Sequence, residues 1–190
     1  MGVIVCLNGP PRSGKDTAAS AVVSSLSAFH YKMSHPLKVA IPTFMGMEDR
    51  KMYLEENKDT PLPQLFGKTY RELQIGLSEL WAKPLMGAGV FGQIAANIIK
   101  GHVGPGRVAV ISDCGFASEI PPLVKIVGPR NVLIIQLVRD GCTFENDSRS
   151  YIEVDGVSMI QLHNKYDVET FKPQVVRAVE RWMDDTKGPR

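Results

Sequence analysis

Hydrophobic residues in this chain gather in short apolar runs, and segments with helical spacing lie between the runs. Residues 2–7 form a β-branched run, and residues 107–113 and 131–139 form two more. Short runs of this kind are typical of strands buried on both faces of a parallel sheet. Because helix-length segments separate these runs, the pattern predicts an α/β fold of three layers, with a mostly parallel central sheet flanked by helices.

The other segments predict the rest of the alternation. Residues 29–34 and 156–164 predict two further strands, and the segments after residue 17, from 91 to 100 and from 167 to 185 predict helices. A short helix broken near Pro42 and a polar connection over residues 48–60 are expected between them. Leu80 and Trp81 share helical spacing with Leu73 in the segment after Thr69, so we expect them to pack on one face, and Trp182 likewise.

Size and composition limit the organisation. The chain has 190 residues, which suits a single domain, with a segment near 45–68 that could move on the acceptor side and a short lid near 140–152. A net charge of +2 gives no strong global attraction for nucleic acid. Three widely spaced cysteines and no long apolar run predict a protein of the cytoplasm, without a membrane span, and leave its oligomeric state open, a homodimer included.

The loop after the first strand carries the most specific chemical pattern. Its sequence, Gly9-Pro-Pro-Arg-Ser-Gly14-Lys15-Asp16-Thr17, has the G-x-x-x-x-G-K spacing of a phosphate-binding loop. Glycines let backbone N–H groups surround phosphate oxygens, and the lysine neutralises their charge. The pattern predicts a P-loop NTPase type domain that binds ATP, whereas the alternative is a glycine-rich turn with an exposed lysine.

Magnesium should accompany ATP, and three residues are candidate ligands. Asp16 stands where Ser or Thr is usual in such loops, and Thr17 carries the hydroxyl one residue later. Asp113 ends the third strand, at the sheet edge where ligands bind in open parallel sheets. The sequence does not choose among them, and Asp113 could also bind the acceptor or cap a helix.

Five segments occur in an order that resembles a known family. GPPRSGKDT, YKMSHPLK, YRELQIGLSELW, VAVISDCGFASEI and LVRDG follow one another as in the bacteriophage deoxynucleoside monophosphate kinases. The resemblance implies an ATP-dependent enzyme of deoxynucleotide metabolism, in the host cytoplasm if phage-encoded. It implies that the ATP phosphates are surrounded by Arg12, Ser13, Gly14, Lys15, Asp16 and Thr17. It also implies that the acceptor is bound by Lys38 and Arg71, with Gln74 and Glu79, and that Arg139 approaches the transferring phosphoryl group.

Two features depart from the family pattern or lie outside it. Gly115 stands where the family commonly has an arginine that holds the acceptor phosphate. Arg149, in the polar loop DGCTFENDSRSY, could restore that charge by closing over the phosphates, or the loop could be a solvated turn. The segment QLHNKYDVETF resembles the strand, Asn and terminal helix with which the family ends, and this resemblance implies that Asn164 lies near the adenine or caps a turn; the cap is the favoured interpretation.

Three functions remain open from the sequence. The leading hypothesis is phosphoryl transfer from ATP to a nucleoside or deoxynucleoside monophosphate, with Lys15, Asp113, Arg139 and Arg149 as the catalytic group. An alternative acceptor is a hydroxyl on a modified base in phage DNA, with Asp113 as general base. The third hypothesis is a nucleotide-binding module that only hydrolyses ATP.

Overall fold

The central feature of the structure is one twisted parallel sheet. A computed structural model describes residues 1–145, 147–165 and 167–187. Within them, the sheet has the order β2-β3-β1-β4-β5, and every pairing between neighbouring strands is parallel. The strands are β1 (Val3–Asn8), β2 (Phe29–Tyr31), β3 (Val108–Ile111), β4 (Val132–Val138) and β5 (Ser158–His163).

Helices connect these strands and extend the chain between β2 and β3. They are α1 (Lys15–Leu26), α2 (His35–Phe44), α3 (Lys51–Glu56), α4 (Tyr70–Gly76), α5 (Lys83–Met86), α6 (Val90–Ile99), α7 (Ile120–Val127) and α8 (Val168–Lys187). None of the helices in the described residues is both long enough and apolar enough to cross a bilayer.

The chain separates into two compact units. The sheet unit comprises Met1–Met33 and Gly92–Arg190, and the inserted unit comprises Ser34–Phe91. The inserted unit contains the segment near 45–68 that the sequence singled out, and it has its own small core, formed by Ile41, Met47, Leu54, Leu62, Leu65 and Tyr70.

The sheet unit has the three layers that the hydrophobic pattern predicts. Val5 and Leu7 of β1 face α1 and α8, where Val22 and Val175 are fully buried. Strand side chains alternate between the two faces of a sheet, so Cys6 points to the opposite side, and α7 contacts β1 and β4 there. The predicted fold class is therefore confirmed, and the loop after β1 emerges at the carboxyl edge of the sheet.

Two expectations for the inserted unit were wrong. Helix α2 does not break near Pro42 but continues to Phe44. Proline removes the hydrogen bond to the carbonyl four residues earlier, and that carbonyl, of Lys38, accepts the Tyr70 hydroxyl at 3.4 Å instead. The polar stretch over residues 48–60 is largely helical rather than irregular, because Leu54 of α3 is fully buried and fixes it to the core.

The predicted helix after Thr69 is present, but one of its faces is not the expected one. Thr69 and Glu72 form a capping box at its start. A π-helical stretch over Leu77–Ala82 follows, with Ser78 and Ala82 buried. Its wider turn rotates the later residues, so Leu80 and Trp81 are exposed at 82% and 54% rather than packed, whereas Trp182 of α8 is buried as expected.

Candidate active site

The loop between β1 and α1 is built to hold phosphate groups. Gly14 has a left-handed backbone with φ of 101° and caps α1, so the helix begins at Lys15. The first backbone N–H groups of α1 have no partner within the helix and carry a partial positive charge. The Ser13 hydroxyl is fully buried and has no hydrogen-bond partner in the described part of the chain. The loop therefore offers unused donors to an anion.

Both glycines of the motif are required by their surroundings or their backbone conformation. A Cβ at position 9 would lie 2.7 Å from the Leu137 carbonyl oxygen and from the Ser13 hydroxyl. A Cβ at position 14 would lie 2.5 Å from Nδ2 of Asn164. The backbone oxygen cannot give way at position 9, and the left-handed backbone disfavours any other residue at position 14, so glycine is required at both. An ordinary glycine-rich turn does not account for this crowding.

Lys15 lies half-buried over the loop rather than projecting into solvent. Its ammonium donates to the carbonyl oxygens of Gly9 at 2.7 Å and Pro10 at 2.6 Å. Burial lowers the pKa of Lys15 to about 8, and the nearby positive charge of Arg149 acts in the same direction. The site therefore brings together the positive charges of Lys15 and Arg149, both partly shielded from water.

Asn164 fixes the other side of the loop. Its Nδ2 donates to the Ser13 carbonyl at 3.0 Å, and its backbone N–H donates to Val138 at 2.8 Å. The favoured expectation of a turn cap was wrong, because the side chain binds the phosphate loop instead. The only sequence signal for this role was its position directly after an apolar strand.

Two carboxylates that the sequence offered as magnesium ligands lie at the same edge of the sheet. Asp16, on the first turn of α1, pairs with Lys32 at 2.7 Å. Asp113 follows β3, and one of its oxygens accepts the Met33 backbone N–H at 2.6 Å. Magnesium commonly uses one or two carboxylates together with waters and phosphate oxygens, and the exposed Asp16 carboxylate and the Thr17 hydroxyl, both on the first turn of α1, offer oxygen ligands of this kind.

Arg149 enters the site from the loop after β4. Both nitrogens of its fork, Nε and Nη2, donate to the carboxylate of Asp147, and this raises the pKa of Arg149. Its aliphatic part covers Gly115, where a Cβ would lie 2.5 Å from Cδ of Arg149 and 2.7 Å from its Cγ. The missing side chain at position 115 is therefore the space that Arg149 occupies.

Asn8, the last residue of β1, ties that loop to the sheet. Its fully buried side chain donates to the carbonyl oxygens of Cys114 and Ser150, both at 3.0 Å, and accepts from the Ile152 N–H at 3.1 Å. Asn8 thereby fastens the segment just after Arg149 to the end of β1, whereas Asp147 holds the Arg149 fork from within the same loop. Asn146, in the same predicted lid, lies outside the described residues.

Arg139 follows β4 at the same edge of the sheet unit. Its Nη1 donates to the carbonyl oxygen of Arg12 at 3.2 Å. Arg12 itself adopts a left-handed backbone with φ of 64°, and both side chains are exposed. The structure thus brings Arg139 next to the phosphate loop, and its contact with the transferring phosphoryl group stays a prediction.

The residues predicted for the acceptor all belong to the inserted unit. Lys38 pairs with Glu55 at 2.7 Å, and Arg71 forms a fork with the Asp59 carboxylate. Gln74 hydrogen-bonds to Tyr70, whose hydroxyl also donates to the backbone carbonyl of Lys38 at 3.4 Å. Glu79 accepts from Lys83 at 2.7 Å on the following π-helical stretch. Lys38 and Gln74 therefore meet at one tyrosine, whereas Arg71 and Glu79 have separate partners.

Sequence reasoning missed Asn8, Lys32 and His30. Lys32 reaches Asp16, and the His30 ring hydrogen-bonds to Ser112 at 2.8 Å, beside Asp113. Burial lowers the pKa of His30, and Lys32 acts in the same direction. The signal that could have found Lys32 and His30 was their place at the end of β2, since the carboxyl ends of neighbouring parallel strands share one edge.

Comparisons with known proteins agree with this architecture. No family model matches the chain. A protein of Acanthamoeba polyphaga mimivirus, provisionally named a deoxynucleotide monophosphate kinase, is 27% identical over 192 residues, which cover 94% of this chain and 96% of the relative.

Solved structures of low sequence identity share the fold. A sugar kinase from a Janibacter species superposes with a TM-score of 0.55 and 14% identity, over 97% of this chain and 95% of its own. A gluconokinase from Sinorhizobium meliloti has a TM-score of 0.52 and 10% identity, over 97% and 94%. At this identity the likeness concerns the fold, and the acceptor must be argued from the site.

Proposed function

We propose that this chain, an ATP-dependent kinase, transfers the terminal phosphoryl group of ATP to the phosphate of a deoxynucleoside monophosphate. The observation that carries the proposal is the phosphate loop itself, where Lys15 lies half-buried over the loop carbonyls and Arg149 adds a second cation nearby. Two half-buried positive charges repel each other, so their pairing beside a phosphate loop suits a ligand with several negative charges. The mimivirus relative carries a name of the same class.

The loop residues would bind the donor. The backbone N–H groups at the start of α1 would bind the ATP phosphates, and the unused Ser13 hydroxyl adds a donor. Lys15 leaves the carbonyl oxygens of the loop to neutralise the transferring phosphoryl group. Arg12 lies at the outer side of the loop, within reach of the same phosphates through its exposed side chain.

Magnesium would neutralise charge on the ATP phosphates when bound. The residues that fit it are Asp16, Thr17 and Asp113, all oxygen ligands at one edge of the sheet unit. Asp16 is the strongest candidate, because its carboxylate is exposed and adjoins the phosphate-binding lysine.

Arginine residues would stabilise the charge that moves between donor and acceptor. Arg139, bonded to the Arg12 carbonyl, and Arg149, held by Asp147, both approach from the loop after β4. Since an acceptor phosphate is already a nucleophile, positioning and charge neutralisation account for the rate and no protein base is needed.

The inserted unit would supply the acceptor contacts. Lys38 and Arg71 are its candidate phosphate or base ligands, and their present partners, Glu55 and Asp59, are carboxylates that an acceptor phosphate can replace. Gln74 and Glu79 offer hydrogen bonds for the base. DNA is a less suitable acceptor, because Asp113 already accepts a backbone N–H and is therefore a weaker candidate for a general base.

The test is to identify the labelled product. The purified protein is incubated with γ-labelled ATP and magnesium, together with each deoxynucleoside monophosphate or with DNA. We expect label on a mononucleotide, and a loss of at least about a hundredfold in Lys15→Ala, the size expected for one principal charged contact. Lys125→Ala, on the exposed side of α7, is the matched control and should retain activity. Label only on DNA, or only on free phosphate, would reject the proposed acceptor.

A further inference from the structure

Lys32 forms an ion pair at the mouth of the phosphate loop that none of the roles above explains. Its ammonium lies 2.7 Å from Oδ1 of Asp16, on the first turn of α1. The lysine side chain is 34% exposed and the aspartate 79%. Partial desolvation tends to raise the pKa of Asp16, but the hydrogen bond and the charge of Lys32 lower it, and the net pKa is below the usual value. The cation is thus the better shielded partner of the two.

The backbone around Lys32 is fixed by the sheet, whereas its side chain is held through the ion pair with Asp16. The carbonyl of Tyr31 accepts from Ser112 at 3.2 Å, and the N–H of Met33 donates to Asp113 at 2.6 Å. The two neighbours of Lys32 are therefore fastened to the end of β3. Its ammonium, on a flexible four-carbon stem, can exchange partners without any change in the backbone.

Stability gives little reason for this pair. Exposed lysine–carboxylate pairs contribute little to folding, because water solvates both ions and side-chain entropy is lost. Asp16, by contrast, adjoins the lysine of the phosphate loop and is our strongest candidate to face magnesium. A second cation on that carboxylate would repel the ammonium of Lys32.

We propose that Lys32 is a phosphate-binding residue for the acceptor, held by Asp16 in the free protein and released to the acceptor phosphate when magnesium and ATP occupy the loop. This inference rests on the proposed function. The exchange replaces one oxyanion partner by another, so the ammonium remains paired in both states. Because one carboxylate serves both the lysine and the metal, binding of the donor strengthens binding of the acceptor, and the reverse.

Equilibrium binding tests the role without depending on turnover. Affinities for the four deoxynucleoside monophosphates, and for the deoxynucleosides that lack the phosphate, are measured with and without magnesium and a non-hydrolysable ATP analogue. In the wild type the analogue should tighten monophosphate binding. In Lys32→Met the monophosphate should bind about tenfold more weakly with the analogue present, as expected for one lost charge-assisted contact. Deoxynucleoside binding should not change, and Lys32→Arg should recover part of the loss.

Asp16→Asn provides the second arm. With Lys32 no longer held, this variant should bind the monophosphate more tightly than the wild type when no donor is present. This gain in affinity should disappear when Lys32→Met is added, because it depends on the freed lysine. If the gain came only from removing the negative charge of Asp16 near the phosphate, it would persist in the double variant. Lys125→Met is the matched control for removing a lysine charge.

The outcomes separate this inference from the proposed function. If Lys32→Met binds the monophosphate as tightly as the wild type does, and still binds the ATP analogue, the role of Lys32 is overturned but the proposed function is not. Failure of the wild-type protein to bind any of the four monophosphates overturns both. A gain in Asp16→Asn that survives in the double variant shows simple charge repulsion and also rejects the exchange.

Discussion

Replacing Gly115 by alanine would move Arg149 without removing it. The added Cβ would lie 2.5 Å from Cδ of Arg149, whereas carbon atoms in contact are normally about 3.5–4.0 Å apart. The arginine must therefore withdraw by about 1 Å. Its fork is held by Asp147 and its loop by Asn8, so the shift strains or breaks contacts that position the guanidinium.

The expected cost falls mainly on turnover. A displacement of about 1 Å at a catalytic group can lower the rate about a hundredfold. Overpacking at a buried position such as 115 costs about 1–3 kcal/mol of folding free energy, which a folded enzyme of this size can tolerate. We therefore expect Gly115→Ala to fold, to bind ATP normally and to lose about a hundredfold in kcat.

A double-mutant cycle is the decisive assay. Steady-state kinetics are measured for Gly115→Ala, Arg149→Ala and the double variant, with Gly101→Ala as the control because a Cβ there meets nothing within 4 Å. Since both single changes act through one guanidinium, the double variant should be no slower than Arg149→Ala. Full activity of Gly115→Ala, or losses that add, would refute the placement of Arg149 in the reaction.

Two other variants test the loop and the sheet edge. Asn8→Ala leaves the Ile152 N–H and two carbonyl oxygens without their buried partner, and should lower the free energy of unfolding by about 2–4 kcal/mol, measured by urea denaturation. An unchanged denaturation midpoint would contradict the anchoring role. Burial lowers the pKa of Lys15 from 10.5 to about 8 in the folded protein. Between these two pH values the unfolded chain binds more protons at Lys15 than the folded protein does. The stability of the wild type relative to Lys15→Met therefore rises with pH across this range. The stability advantage of Lys15→Met over the wild type should thus be constant below pH 8 and shrink toward pH 10.5, and a gap independent of pH would reject the shift.

Local sequence determined the strands and the phosphate loop. The β-branched runs at 2–7, 107–113 and 131–139 are apolar on both sides of the strand, and such a segment is stable only inside a sheet covered on both faces. The phosphate loop could be assigned for a similar reason, because its function depends on residues close together in the chain: the glycines at positions 9 and 14 and Lys15. Contacts between neighbours in the chain carry this information.

Helix continuity and helix faces depended on partners far along the chain. Pro42 ended the predicted helix because proline removes a hydrogen bond, but Tyr70 supplies a donor to the unpaired carbonyl from 32 residues away. Leu80 and Trp81 followed the usual helical spacing, and a π-helical turn placed them outside. Neither the hydrogen bond from Tyr70 nor the π-helical turn is indicated by a pattern in the local sequence.

The chain alone thus determined a parallel α/β fold with an ATP loop at the end of its first strand, because periodicity and backbone chemistry are local. Only the tertiary structure decided which side chains surround that loop. Arg149 fits over Gly115, Asn164 supports Ser13 and Lys32 reaches Asp16 because the strands are parallel and end at one edge. These residues are 16 to 151 positions apart in their pairs, and their meeting follows from the strand order, which no local pattern encodes.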